Sequence, residues 1–196
     1  MLLSYPMKST CLKLSLMLAL AASVSLRADE EPAPDPAYPA TIMIVDLRKE
    51  LPGLFDYSSW KDLLTLTPSG IAVLGSKGAQ GNGGMGRAIS PAMDFSRMTF
   101  VEVALGTIPG NEVPQITVAL NDADGTQFTA RINVDQLVPG QPVWMRVRRE
   151  DFRLNPGERG ADGEMDWTKV ATWHLQGDWN TKKPCKVIFV AMRERS

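Results

Sequence analysis

The sequence predicts an all-β domain behind an N-terminal targeting segment. Three observations predict the class. Short runs rich in β-branched and aromatic residues recur along the chain, Gly, Pro, Asn and Asp punctuate the gaps, and no helical period persists for three turns. Many short strands joined by turn-rich links make a sandwich or a barrel.

The elements follow in chain order. Residues 1–28 read as a signal peptide: Lys8 and Lys13 precede a short apolar core from Leu14 to Ala22, and small residues follow. That core falls short of the ~20 apolar residues a membrane span needs, so no stable membrane insertion is expected after its removal. Residues 29–40 are acid- and proline-rich and read as a disordered leader, because such a segment cannot bury apolar surface. Residues 41–196 are left for the β domain, and about 155 residues suffice for one core. Strands are expected over 41–47, 63–67, 71–74, 98–105, 115–121, 127–134, 143–148, 170–176 and 186–192, with single helical turns over 50–54 and 166–169. The last strand is apolar on both sides apart from Lys186, as a central strand should be.

Charge and cysteine content narrow the partners. Losing the signal removes three basic residues and no acid, so the net charge moves from −1 to −4. A mildly acidic domain without a basic block argues against nucleic acid as the main partner. Cys185 is then the only cysteine, which excludes an internal disulfide, and its apolar surroundings predict a buried, inert thiol. The signal predicts a secreted or periplasmic protein.

Period-two alternation assigns faces. Val101, Val103 and Leu105 share one side, as do Ile116, Val118 and Leu120, then Phe128, Ala130, Ile132 and Val134, then Val143, Met145 and Val147; these are expected core sides. The opposite sides carry Glu102, Thr117, Gln127, Thr129, Arg131, Trp144, Arg146, Arg148, Thr172, His174 and Gln176.

The order Asp122–Phe128, Val143-Trp144-Met145-Arg146-Val147, Trp167-Thr168-Lys169-Val170, then Leu175-Gln176-Gly177-Asp178-Trp179 and a final strand resembles the galactose-binding-like jelly rolls. The likeness is to carbohydrate-binding modules of bacterial glucanases and to intermediate-associated-protein modules, over about residues 41–193. It implies an all-β jelly-roll β-sandwich of two antiparallel sheets and a glycan held on a sheet face or at loop tips. It also implies a structural calcium held by acids of the last strand, but Val190-Ala191-Met192-Arg193 offers none there, so no cofactor and no metal ligand are expected.

The remaining motifs are weighed on their chemistry. Gly81-Asn82-Gly83-Gly84-Met85-Gly86 spells a dinucleotide fingerprint, yet Arg87-Ala88-Ile89-Ser90-Pro91 cannot continue as the helix that motif needs, so a flexible loop is expected. Asp122-Ala123-Asp124-Gly125 reads as a hairpin turn with Gly125 at positive φ, since an EF-hand would require an acid at Leu120. The acidic loop from Asp162 to Asp166 is the one remaining candidate for calcium. His174 is the only histidine, which excludes a multi-histidine metal site. Glu102, Glu164 and Asp166 are available carboxylates, but nothing pairs them as a glycosidase requires, so the sequence predicts no catalysis, with a small carbohydrate-active enzyme as the lesser alternative.

A sugar offers an apolar C–H face and a fringe of hydroxyls, which suits an exposed indole beside planar donors. Glu102, Thr129, Arg131, Trp144, Arg146, His174 and Gln176 are therefore expected to form one binding face, with Asp178 and Trp179 at a neighbouring loop tip. An envelope protein docked on the same face is the alternative partner.

Overall fold

The structure, a computed structural model, describes residues 37, 40–48, 53–73 and 80–196. The signal peptide over 1–28, nearly all of the leader over 29–40 and most of the turn expected over 50–54 lie outside the described residues. Twelve strands are found among the described residues: β1 (Thr41–Asp46), β2 (Phe55–Ser58), β3 (Leu64–Thr67), β4 (Gly70–Val73), β5 (Gly83–Met93), β6 (Phe100–Thr107), β7 (Gln115–Asp122), β8 (Thr126–Asn133), β9 (Val143–Arg148), β10 (Arg153–Arg159), β11 (Val170–Gln176) and β12 (Val187–Arg195). They form two six-stranded antiparallel sheets, a jelly-roll sandwich. Sheet I runs β3-β4-β12-β6-β9, with β1 also on β12; sheet II runs β10-β8-β7-β11-β5-β2. Among the described residues the one helical turn is a three-residue 3-10 segment, Arg149–Asp151. Among the described residues no helix is long and apolar enough to cross a membrane.

Alternation builds the core as the sequence predicts. Val101, Val103 and Leu105 of sheet I and Ile116, Val118, Leu120, Trp173 and Leu175 of sheet II are all buried in one cluster. β12 is central, paired on both edges. Cys185 is fully buried, and that burial pushes its thiol up to about 12. Val143 departs from the expected pattern and is exposed: it pairs with Leu105 at the first position of β9, an edge strand with no neighbour on its far side among the described residues. Residues 166–169 make a turn closed by Lys169 N–H on the Asp166 carbonyl, not a helix.

Three strands escape sequence reading. β2 is four residues long, and its alternation covers only Phe55 to Tyr57. β10 contains Pro156-Gly157, which spell a turn; here those residues lie in a bulge, where Asn155–Glu158 stand against Gln127 alone. The third is β5, and it corrects the glycine-rich loop. The run from Gly83 is an eleven-residue strand between β11 and β2. Its glycines make room for rings: a Cβ on Gly83 would meet Trp60 at 2.1 Å, one on Gly84 would meet Tyr57 at 2.5 Å, and one on Gly86 would meet Phe55 at 2.9 Å.

Candidate binding recess on sheet II

The outer face of sheet II is laid out by its registers. One lateral row reads Tyr57, Gly84, Gln176, Thr117, Arg131 across β2, β5, β11, β7 and β8; the next reads Phe55, Gly86, His174, Ala119, Thr129. Where Gly84 and Gly86 lack side chains, the Tyr57 and Phe55 rings lean inward across β5. The β10 bulge brings Asn155 and Glu158 to the opposite side. Trp179, half exposed on the loop after β11, stacks on Tyr57 with centroids 6.4 Å apart and planes 22° apart. Together these residues enclose a recess of about 610 Å³.

One wall of the recess is aromatic and its floor is polar. Phe55, 39% exposed, presents its ring to His174 edge-on at 5.4 Å. The Tyr57 hydroxyl lies 3.2 Å from Nδ1 of His174. Burial pushes the Tyr57 phenol up to about 12, against the opposing effect of the Gln176 amide. Burial alone pulls His174 down to about 4, so its imidazole is neutral at ordinary pH. Across the floor, Asn155 Nδ2 donates to Gln127 Oε1 at 2.7 Å and Gln127 Nε2 donates to Asn121 Oδ1 at 3.1 Å. This ladder holds the amides in fixed orientations, and Arg131 and Glu158 add one charge of each sign to the lining.

The structure thus brings together five of the nine expected site residues: Thr129, Arg131, His174, Gln176 and Trp179. Asp178 does not line the recess. It is buried behind the loop, where it accepts Gln115 Nε2 and Asn180 N–H, both at 3.0 Å. Burial pulls its carboxyl up, but Asn180, Gln115 and Arg131 together hold it below the usual range. Its place is to shape the loop that carries Trp179. Sequence reasoning missed Phe55, Tyr57, Asn155 and Glu158; the Phe55-Asp56-Tyr57 alternation is a signal for the first two, but it spans a single short strand.

Glu102, Trp144 and Arg146 correct the single-face expectation, because β6 and β9 belong to sheet I. Glu102 is 3% exposed and accepts Arg146 Nε at 3.0 Å, Arg193 Nε at 2.6 Å and Arg195 Nε at 3.1 Å. Burial pulls its carboxyl up, but the three guanidiniums outweigh that and hold it below the usual carboxylate range. Trp144 lies under Arg193, whose guanidinium carbon is 4.0 Å from the ring centroid, and packs on Ala104, Val190 and Ala191. Arg146 stacks on Phe100 at 4.7 Å.

The acidic loops meet at a second hollow, lined by Asp122, Asp124, Asp162, Glu164 and Asp166. Their oxygens serve local turns: Asp122 accepts from Asp124, Thr126 and Asp166 N–H, and Asp124 accepts from Thr126 and Ala161. Gly125 sits at φ +93 in the β7–β8 hairpin, as expected. Among the described residues no group of three or more His, Cys, Asp or Glu side chains is arranged to hold a metal. The last strand extends beyond Arg193 and does carry an acid, Glu194, which is buried and whose carboxyl burial and Asp94 push up.

The sequence matches no protein-family model and no curated protein. Solved structures do match. A family 11 carbohydrate-binding module from Clostridium thermocellum, solved with a β-1,3-1,4-mixed-linked tetrasaccharide, aligns with a TM-score of 0.53 at 13% identity, over 79% of this chain and 94% of that one. The family 11 module of a cellulosomal cellulase from the same organism gives 0.52 at 14%, over 79% and 94%. An agarase gives 0.53 at 13%, over 80% of this chain and 24% of the enzyme. At such identities the likeness is one of fold: this chain shares the jelly-roll sandwich of carbohydrate-binding modules.

Proposed function

We propose that the protein is an exported, non-catalytic module that holds a glycan in the sheet II recess. One observation carries the reading: the half-exposed Trp179, stacked on Tyr57 and continued by Phe55, stands beside a floor of oriented donors and acceptors. A sugar ring lays its C–H face on such a wall while its hydroxyls meet His174, Gln176, Arg131, Thr129 and Glu158. The fold shared with carbohydrate-binding modules supports it. A non-catalytic role is supported by the lining, in which Glu158 is the one carboxylate among the described residues; glycoside hydrolysis ordinarily takes two. Export rests on the sequence of residues 1–28.

A glycan array probed with the protein and with Trp179→Ala tests the reading. The intact protein should retain a glycan, and Trp179→Ala should weaken that binding at least tenfold, about 1.4 kcal/mol, with the fold unchanged. Binding that ignores Trp179→Ala, or an array on which nothing is retained, would overturn it. Release of shortened product from the bound glycan would instead identify an enzyme.

A further inference from the structure

We infer that Tyr57 is a positioning residue whose hydroxyl donates to Nδ1 of His174, fixes the imidazole with its proton on Nε2, and so makes the recess a hydrogen-bond donor at that point. The inference rests on the proposed glycan reading for its consequence: the ligand oxygen that meets His174 must accept.

The geometry runs through three residues of two lateral rows. Gln176 and His174 are two apart on β11 and face the same way, and Tyr57 reaches both from β2 across Gly84. A phenol is a stronger donor and a weaker acceptor than a neutral imidazole, so of the two ways this pair can bond, the one with the proton on the Tyr57 oxygen is favoured. The hydroxyl proton is then directed at Nδ1, 3.2 Å away. A neutral imidazole carries one N–H, and a proton received at Nδ1 as a hydrogen bond leaves that N–H on Nε2. The Phe55 edge at 5.4 Å holds the ring plane. The charged groups of the lining, Arg131 from β8 and Glu158 from β10, have no part in lowering the His174 proton affinity, for which burial is the one cause; β7 contributes uncharged Ala119 and Thr117 to the floor, and β5 contributes glycines. The glycine is part of the device. A Cβ at position 84 would stand 2.5 Å from both the Tyr57 ring and its oxygen, so any larger residue would displace the phenol from His174.

His174 is the only histidine, so every imidazole resonance of the unliganded protein belongs to it. Long-range proton–nitrogen NMR should show Nδ1 unprotonated and Nε2 protonated, unchanged from pH 8 down to about pH 5. Tyr57→Phe should move the imidazole toward a mixture of the two neutral forms while the remaining backbone spectrum persists. Gly84→Ala should do the same with the phenol still present, which keeps the test open if Tyr57→Phe folds poorly. A proton on Nδ1, a titration near pH 6.5, or a tautomer indifferent to both variants would overturn the inference. An array that retains no glycan would defeat the proposed function alone and leave this result standing.

Discussion

Replacing Glu102 by Gln should destabilise the domain severely and leave the recess intact. The carboxylate is 3% exposed and compensates two guanidiniums that are themselves buried, Arg193 at 2.6 Å and Arg195 at 3.1 Å, with side-chain exposures of 1% and 5%. Glutamine keeps the shape but removes the charge. Removing one partner from a buried pair costs ~3–5 kcal/mol, because the other charge stays in a medium that solvates it poorly. Arg146, whose side chain is 54% exposed, contributes at most ~1 kcal/mol and changes little of this. Against a typical domain stability of ~5–15 kcal/mol the loss is large. At a urea slope of ~2 kcal/mol per molar it moves the unfolding midpoint by about 1.5–2.5 M. The same network gives a pH signature. The folded carboxyl titrates below its unfolded value, so its stabilisation is present above the unfolded pKa and lost as pH falls through the folded one. The wild type should lose that increment in acid and Glu102→Gln should not. A midpoint shift worth less than ~1 kcal/mol would refute the burial argument. Normal stability with abolished glycan retention would move the binding site to sheet I.

Trp144→Ala should cost about 2 kcal/mol, the worth of a desolvated cation–π contact with Arg193, and leave array binding unchanged; tenfold weaker binding would contradict its place on sheet I. His174 titrates near 4 in the fold and near 6.5 unfolded. Above pH 6.5 it therefore contributes nothing to the pH dependence, and between 6.5 and 4 the unfolded state alone takes up the proton. Stability should fall by on the order of 3 kcal/mol across that window, and His174→Gln should remove that part of the acid slope in chemical denaturation curves. The exported protein should begin within residues 22–29, and N-terminal sequencing that finds Met1 or Met7 would count against export through this segment.

Much of the fold is legible because alternation is a local property. Val101, Val103 and Leu105, or Ile116, Val118 and Leu120, announce a buried side by their spacing alone, and the doubly apolar last strand announces its central place. The hairpin at Gly125 is legible for the same reason, since a turn needs positive φ within four residues. What alternation leaves open is which sheet a strand joins. Trp144 and Arg146 carry the same outward pattern as His174 and Gln176, yet β9 pairs with β6 while β11 pairs with β7 and β5. That choice is made by backbone hydrogen bonds between segments far apart in sequence, and it puts three expected ligand contacts on the opposite face, Glu102 buried among guanidiniums, Arg146 at the exposed rim of that network and Trp144 under Arg193. The recess depends still more on the tertiary structure. Gly84 means nothing until the register sets Tyr57 beside it, and Tyr57 has no role until its ring crosses to His174, 117 positions away. By itself the sequence determined which residues face inward, because that follows from the pleat; the tertiary structure alone decided which outward residues meet, because lateral neighbours in a sheet are set by pairing and register.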